Sequence, residues 1–233
     1  MASIFAVIVA GGKGERMQAD IRKQYLVLDG IAILSRTLLA FAEISAIDTV
    51  YLAVPEKDFD FCTCRILPAV CNKLSVQLVK GGANRQESVY KGLTAITDPG
   101  SIVVIHDGVR PFVPVAQTEE AIARAAKEGG CILGIPAVDT LKNVDNNGRI
   151  VNTMQRDGIW QAQTPQVFQY QLIKKAHDYA LSKGFTGTDD ASLMENIGKR
   201  VKMIYGSPYN IKITTPEDLV IALSILNHRQ INV

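Results

Sequence analysis

Short runs rich in β-branched residues alternate along this chain with longer stretches whose apolar positions recur every three or four residues. That alternation builds a parallel sheet with helices packed on its faces, so the class expected is α/β. Residues 4–9, 49–54, 75–79, 102–105 and 131–135 are nearly apolar throughout, as strands are when both sheet faces are covered. Between them the spacing predicts helices over 33–44, 58–67, 85–96 and 115–128. The pattern changes after Pro136. Residues 141–144 and 149–154 flank Asp145-Asn146-Asn147-Gly148, a hairpin signal in which Asn-Gly is expected to supply the positive φ angles of a tight reversal. A β-arm therefore interrupts the regular alternation. Near the end of the chain Thr215 is the expected N-cap and Pro216 the first helical residue, with Glu217 and Asp218 at the positive end of the dipole. That helix is expected to run to about Asn227.

Composition narrows the picture. A chain of 233 residues with 47% hydrophobic and 21% charged positions can bury a substantial core, and α/β folds of this size form one unit, so a single domain is expected. A net charge of +2 is too small for a nucleic-acid coat, and any basic cluster must be local. The apolar run 4–10 has no charged flank before it, is too short to span a bilayer, and stops at glycines, which points to a strand and to a cytoplasmic protein without a membrane partner. Cys62, Cys64, Cys71 and Cys131 form no CxxC pair and have no histidine at zinc-like spacing, so they are read as reduced thiols.

Candidate chemistry begins directly after the first strand, at Ala10-Gly11-Gly12-Lys13-Gly14-Glu15-Arg16-Met17. Glycines let the backbone approach a ligand, and Lys13 and Arg16 add positive charge, which suits phosphate. A Walker A loop would need Ser or Thr after Gly-Lys, and a dinucleotide fingerprint would need a third small residue where Met17 stands. A dinucleotide fold also places an acidic residue about twenty positions on, at the end of its second strand. That strand here ends near Pro55, about twice too far. By its spacing alone the loop is a cradle for some phosphate, or simply a tight turn.

Other segments accompany it: Lys23-Gln24-Tyr25, Gly81-Gly82 with Arg85 and Ser88, His106-Asp107 with Arg110-Pro111, Pro136 with Asp139-Thr140, and Arg156. Further on come Gln163-Thr164-Pro165-Gln166, Thr188-Asp189-Asp190, and Asn210-Ile211-Lys212-Ile213-Thr214 before Pro216-Glu217-Asp218-Leu219. Together, and over almost the whole chain, they resemble the cytidylyltransferase family that acts on 2-C-methyl-D-erythritol 4-phosphate in isoprenoid synthesis. The resemblance implies a Rossmann-like nucleotidyltransferase fold, a twisted and mostly parallel sheet with helices on both faces and a protruding β-arm. It implies one domain over 1–233 with the arm at about 137–158, a homodimer clasped by the arms, and use of CTP with Mg²⁺ and a polyol phosphate. The reaction implied is transfer of CMP to 2-C-methyl-D-erythritol 4-phosphate, giving 4-diphosphocytidyl-2-C-methyl-D-erythritol and pyrophosphate.

The resemblance also assigns roles. Arg16, Lys23 and Lys212 are the catalytic cations, since charge grows on the α-phosphate oxygens and on the leaving pyrophosphate. Ala10, Gly11, Gly12, Gly14, Gly81, Gly82, Ser88 and Asp107 are expected around the nucleotide, with Asp107 free to bind either the ribose hydroxyls or Mg²⁺ through water. Arg110, Thr140, Arg156, Thr188 and Lys212 are expected around the acceptor, where a divalent anion needs a cationic cluster. The metal ligands themselves stay unassigned. Three histidines are few, but a phosphate monoester is a nucleophile already ionised near neutral pH and needs no strong base. His106 reads as a packed or capping residue, while His177 and His228 read as exposed on helix faces. Trp160 reads as core or interface, and Lys199-Arg200 with Lys202 as solvated.

Four positions depart from the family's usual pattern. Gly12 and Gly108 stand where alanine is common and are read as small-for-small changes. Ala83 stands for an aspartate and removes a polar contact near the base. Arg22 stands for a proline ahead of Lys23 and, by removing a φ restraint, is expected to loosen that lysine. Two other readings compete: a ribitol-5-phosphate cytidylyltransferase making CDP-ribitol, and a nucleotide-binding module without catalysis.

Overall fold

A computed structural model describes residues 2–12 and 21–231. Its first strand, β1 (Ile4–Val9), is followed by a small hairpin, β2 (Val27–Leu28) and β3 (Ile31–Ala32), then by α1 (Ile33–Ala42) and β4 (Thr49–Val54). A short helical turn, α2 (Phe59–Phe61), precedes β5 (Val76–Lys80), α3 (Arg85–Ala95), β6 (Ile102–Asp107), α4 (Val115–Glu128) and β7 (Gly130–Pro136). The arm is β8 (Leu141–Val144) and β9 (Ile150–Met154). The chain closes with β10 (Trp160–Gln169), α5 (Tyr170–Lys183), α6 (Asp190–Asn196), β11 (Lys202–Tyr205) and α7 (Pro216–Ile231).

The large sheet has the order β11-β7-β10-β6-β1-β4-β5. β10 runs antiparallel to both of its neighbours, whereas β1, β4, β5 and β6 pair in parallel, as do β7 and β11. Alternate strand residues face opposite layers. Ala6, Ile8, Leu52 and Val104 pack with Leu34, Leu38 and Phe41 of α1 and Ala121 of α4. Val7, Val103 and Ile105 pack on the other side with Val89 and Leu93 of α3 and Ile173 and Ala176 of α5. Both faces are thus buried, which is why these strands carry almost no polar residues. A third cluster seats α7, through Ala222 and Ile225, against Leu28, Ile33, Val109 and Phe112.

The topology locates a crevice. From β1 the chain moves outward through β4 and β5, then crosses back to place β6 on the other side of β1. At such a reversal the loops leaving two adjacent strands diverge to opposite faces and open a cleft at their carboxyl ends. Register sharpens this, because Val9 lies opposite Asp107 and Ala53. The residues that follow Val9 and Asp107 itself therefore emerge at the same level.

Several expectations need correction. The helix expected over 58–67 is instead a 3-10 turn Glu56–Asp58, the short α2, a π-helical stretch Cys62–Ile66 and a second 3-10 turn Leu67–Val70. Pro68 cannot donate to the carbonyl four residues back, and its ring crowds that group, so a regular helix cannot continue there. β10 has no clean period because Pro165 and four glutamines interrupt it, and its register against β7 shifts between Ala162 and Gln166. In the arm only Gly148 of the Asn-Gly pair has positive φ, at 77°. The carboxylate of Asp145 holds the turn by accepting from the amides of Asn147 and Arg149, both at 2.9 Å. The last helix extends to Ile231, beyond Asn227. Among the described residues no helix is long and apolar enough to cross a membrane.

Candidate active site

The crevice is a cleft of about 710 Å³ lined by Ala10, Gly11, Gly12, Lys23, Asp107, Lys212 and the turn Gly82-Ala83-Asn84, among others. Its floor is backbone, tied down from behind. The amide of Ala10 donates to the carbonyl of Ala53 at 2.9 Å, and the buried side chain of Gln24 donates to the carbonyl of Ala10 at 2.6 Å. Gly12 leaves open space, since a methyl there would lie 4.0 Å from Cε of Lys23. Alanine would fit at Gly12, in keeping with a small-for-small change. Gly108 is different. A methyl there would sit 2.9 Å from Cδ1 of Leu34 and 3.0 Å from Cβ of Ala10, so glycine is what lets α1 and the loop pack so closely.

The opposite rim is the N-terminus of α3. The side chain of Asn84 caps it by accepting from the amide of Glu87 at 2.8 Å. Glu87 reaches back to accept from the amide of Ala83 at 2.7 Å. A side chain on Gly82 would collide with Glu87. The hydroxyl of Ser88 donates to the carbonyl of Asn84 at 2.8 Å and accepts from the amide of Gly82 at 3.0 Å, so it shapes this turn from within. Gly81 lies behind the rim, its carbonyl accepting from Nζ of Lys91 at 3.2 Å.

Charge is concentrated on one buried carboxylate. Asp107, 5% exposed, accepts from Nε of Arg85 at 2.9 Å and pairs with Nζ of Lys212 at 2.8 Å. Nε of Arg110 lies 3.8 Å away. Burial by itself would raise the Asp107 carboxyl, but Arg85 and Lys212 outweigh it and hold the group well below the usual carboxylate range. Arg85 continues the chain of charge, since its Nη1 donates at 2.8 Å to Asp190, which in turn lies 3.2 Å from Nε2 of His177. Burial pulls the Arg85 guanidinium down, yet Asp190 and Asp107 push it up by more. His177 is thus only 1% exposed, not on a solvent face as expected. The apolar positions of α5 place it inward beside Ile173, Ala176 and Ala180, and Asp190 satisfies its ring. His228 is exposed, as expected.

His106 is fully buried and linked at both ring nitrogens. The Thr164 hydroxyl accepts from the amide of Asp107 at 3.2 Å, leaving its own proton for Nδ1 of His106 at 3.0 Å. Nε2 then carries the ring proton and donates to the carbonyl of Arg110 at 3.0 Å. Burial pushes this histidine down from 6.5 to about 4. A folded-state value below the unfolded one contributes stability above pH 6.5 that is lost as pH falls from 6.5 to about 4. Urea unfolding across this window is expected to show up to about 3 kcal/mol more acid loss in the wild type than in His106→Gln. Equal slopes would show that the ring titrates normally.

The expected site residues do not all come together, and Gly81 stays behind the rim. Ala10, Gly11, Gly12, Lys23, Gly82, Ser88, Asp107 and Lys212 line one cleft. Thr140, Arg156 and Thr188 do not line it; all three are exposed, and Nη1 of Arg156 donates to the carbonyl of Val138 at the base of the arm. Arg110 lies beside the cleft, its Nη1 donating to the carbonyl of Asn210 at 2.7 Å. Arg16 and Gly14 lie outside the described residues. Three residues had been given no role in the site: Arg85, Asp190 and Arg22. The first two stood in recognisable motifs, but nothing in their spacing, 105 positions apart, announces a shared ion pair.

The family model for 2-C-methyl-D-erythritol 4-phosphate cytidylyltransferase matches residues 4–228. The chain belongs to the 2-C-methyl-D-erythritol 4-phosphate cytidylyltransferase family. The cytidylyltransferase of that name from Syntrophotalea carbinolica is 46% identical over 226 residues, covering 97% of each chain. Its counterpart from Geotalea uraniireducens is 43% identical over 225 residues, 96% of each. Among solved structures, the 4-diphosphocytidyl-2C-methyl-D-erythritol synthase of Anaerococcus prevotii superposes with a TM-score of 0.84 at 33% identity, covering 97% of this chain and 96% of that one. The fold and the class of enzyme, a cytidylyltransferase, follow from this membership, and the alternative acceptor ribitol 5-phosphate is not favoured by any of these relatives.

Proposed function

We propose that this chain transfers CMP from CTP to 2-C-methyl-D-erythritol 4-phosphate, releasing pyrophosphate and 4-diphosphocytidyl-2-C-methyl-D-erythritol. The observation that carries the reading is a glycine-floored cleft at the β1/β6 reversal with Lys23 and Lys212 on its walls, in a chain of this family. An acceptor phosphate oxygen attacks the α-phosphorus in line, a new P–O bond forms, and the bond to the β-phosphate oxygen breaks. Lys23, Lys212 and Arg16 meet the charge that grows on the equatorial oxygens and the leaving group. The backbone of Ala10, Gly11, Gly12, Gly14 and Gly82 approaches the nucleotide, with Gly81 behind the rim and Ser88 shaping the turn that faces the base. Arg110, Thr140, Arg156, Thr188 and Lys212 receive the acceptor.

Magnesium fits these residues in one way. Among the described residues no group of three or more His, Cys, Asp or Glu could hold a metal ion, and Asp107 is the one carboxylate among the cleft residues. A small, reluctantly dehydrated cation held by one carboxylate and the substrate's own phosphates matches that donor set. Asp107, whose two oxygens already meet Arg85 and Lys212, would hold Mg²⁺ through water, and the ion when bound neutralises phosphate charge. The whole chain acts as one domain, with an arm at about 137–158 that joins two subunits. Val138, Ile150 and Val151 on that arm are 75%, 63% and 65% exposed, a set of apolar side chains that water covers poorly.

Pyrophosphate release measured with CTP and each polyol phosphate separately tests the reading. Turnover is expected with 2-C-methyl-D-erythritol 4-phosphate. Turnover with ribitol 5-phosphate alone would overturn the acceptor, and CTP binding without any pyrophosphate released would reduce the protein to a binding module.

A further inference from the structure

We infer that Arg22 is a positioning residue that clamps the glycine loop to the segment around Asp58 and so sets the CTP-binding geometry beside Lys23. The inference rests on the proposed use of CTP in this cleft. Two nitrogens of one guanidinium make two different bonds: Nη1 donates to the carbonyl of Gly11 at 3.2 Å, and Nε pairs with Oδ2 of Asp58 at 3.1 Å. The same Oδ2 accepts from the hydroxyl of the buried Tyr25 at 3.0 Å. The ion pair is largely shielded, with side chains 21% and 13% exposed, so it is less weakened by solvent than a surface pair.

The geometry makes the clamp directional. A peptide unit is planar and trans, so fixing the carbonyl of Gly11 aims the amide of Gly12 the opposite way. Gly11 and Gly12 are both cleft residues, and two successive glycines have more backbone freedom than any other pair. An external tether is what selects one orientation. Lys23 follows Arg22 directly, and Gln24 holds the carbonyl of Ala10, so this lysine is flanked by two ties to the same loop. Arg22 itself has φ −62° and ψ 138°, the extended conformation a proline would adopt. The backbone restraint expected to be lost is therefore retained in the fold, and the side chain adds the clamp.

Arg22→Pro, Asp58→Asn and the double variant separate the possibilities, with Arg22→Lys as a conservative control. In Arg22→Pro the KM for CTP is expected to rise about tenfold while the acceptor KM and the melting temperature change little. Asp58→Asn is expected to shift the CTP KM in the same direction, and the double variant to be no worse than Arg22→Pro. Arg22→Lys, which can keep the ion pair but not the forked geometry, is expected to recover only part of the loss. An unchanged CTP KM in Arg22→Pro overturns the inference, as does a loss of stability without a KM shift. So does a KM rise in Arg22→Pro that Asp58→Asn does not share, since that marks direct contact with the nucleotide. Calorimetric binding of CTP to the same variants gives the comparison even if no transfer occurs, so failure of the clamp and failure of the proposed activity are told apart.

Discussion

Arg85→Met is expected to lower the unfolding free energy by about 3 kcal/mol at pH 7, toward the lower end of what removing one partner from a buried ion pair costs. Arg85 bridges Asp107 and Asp190, whose side chains are 7% and 1% exposed, so its loss leaves two buried carboxylates short of a cation. Asp107 retains Lys212 at 2.8 Å, which limits the damage there. The Asp190 carboxylate retains the ring of His177, while the amides of Asp190 and Ala191 at the start of α6 donate to Gln166 and not to it. The sign of the pH dependence follows. Both carboxyls are held below their ordinary value in the fold, so their contribution is present above about pH 4 and fades as they protonate. Without Arg85 that contribution is already missing, and the gap between wild type and variant should narrow on acidification. Urea unfolding at pH 7 and at pH values below 4 measures both numbers. A deficit under about 1 kcal/mol at pH 7 would place the network among weak surface pairs and refute the argument.

The second large effect concerns catalysis. Lys23→Ala is expected to lower kcat about 10²- to 10³-fold, the usual consequence of deleting one group that meets charge developing in the transition state. Arg156→Ala should be comparably impaired if the acceptor phosphate is held by Arg156 of the partner subunit, because Arg156 lies outside the cleft of its own chain. The two defects then complement. In a mixed dimer one site collects both substitutions and the other collects neither. Co-expression at equal levels makes about half the dimers mixed, so activity should return to about one quarter of wild type. Activity no higher than either variant alone would mean that each subunit completes its own site or that the chains do not pair.

Much of the framework was legible because it depends on local period. β1 and β4 matched the apolar runs residue for residue, and the hairpin turn lay where Asp145 to Gly148 signalled it. The glycines after β1 marked a place of open backbone, and Gly11 and Gly12 do line the cleft. β10 could not be read in this way. Its place between β6 and β7 is chosen by neighbours distant in sequence, which tolerate Pro165 and four glutamines because a register shift accommodates them. His177 was misjudged for a related reason: a polar residue on a helix looks exposed unless its buried partner, Asp190, is known.

By itself the sequence determined the α/β alternation, the position of the hairpin, the run of glycines after the first strand, and the motifs that carry membership of the family. These are properties of spacing along the chain, and spacing is what a sequence records. Only the tertiary structure decided that Arg85 and Lys212 converge on Asp107, that Asp190 and His177 extend that charge chain inward, and that Arg22 clamps Gly11 to Asp58. Those partners are 11 to 105 residues apart. Ion pairs and hydrogen bonds act through space over about 3 Å, so their existence depends on how the strands are ordered and registered.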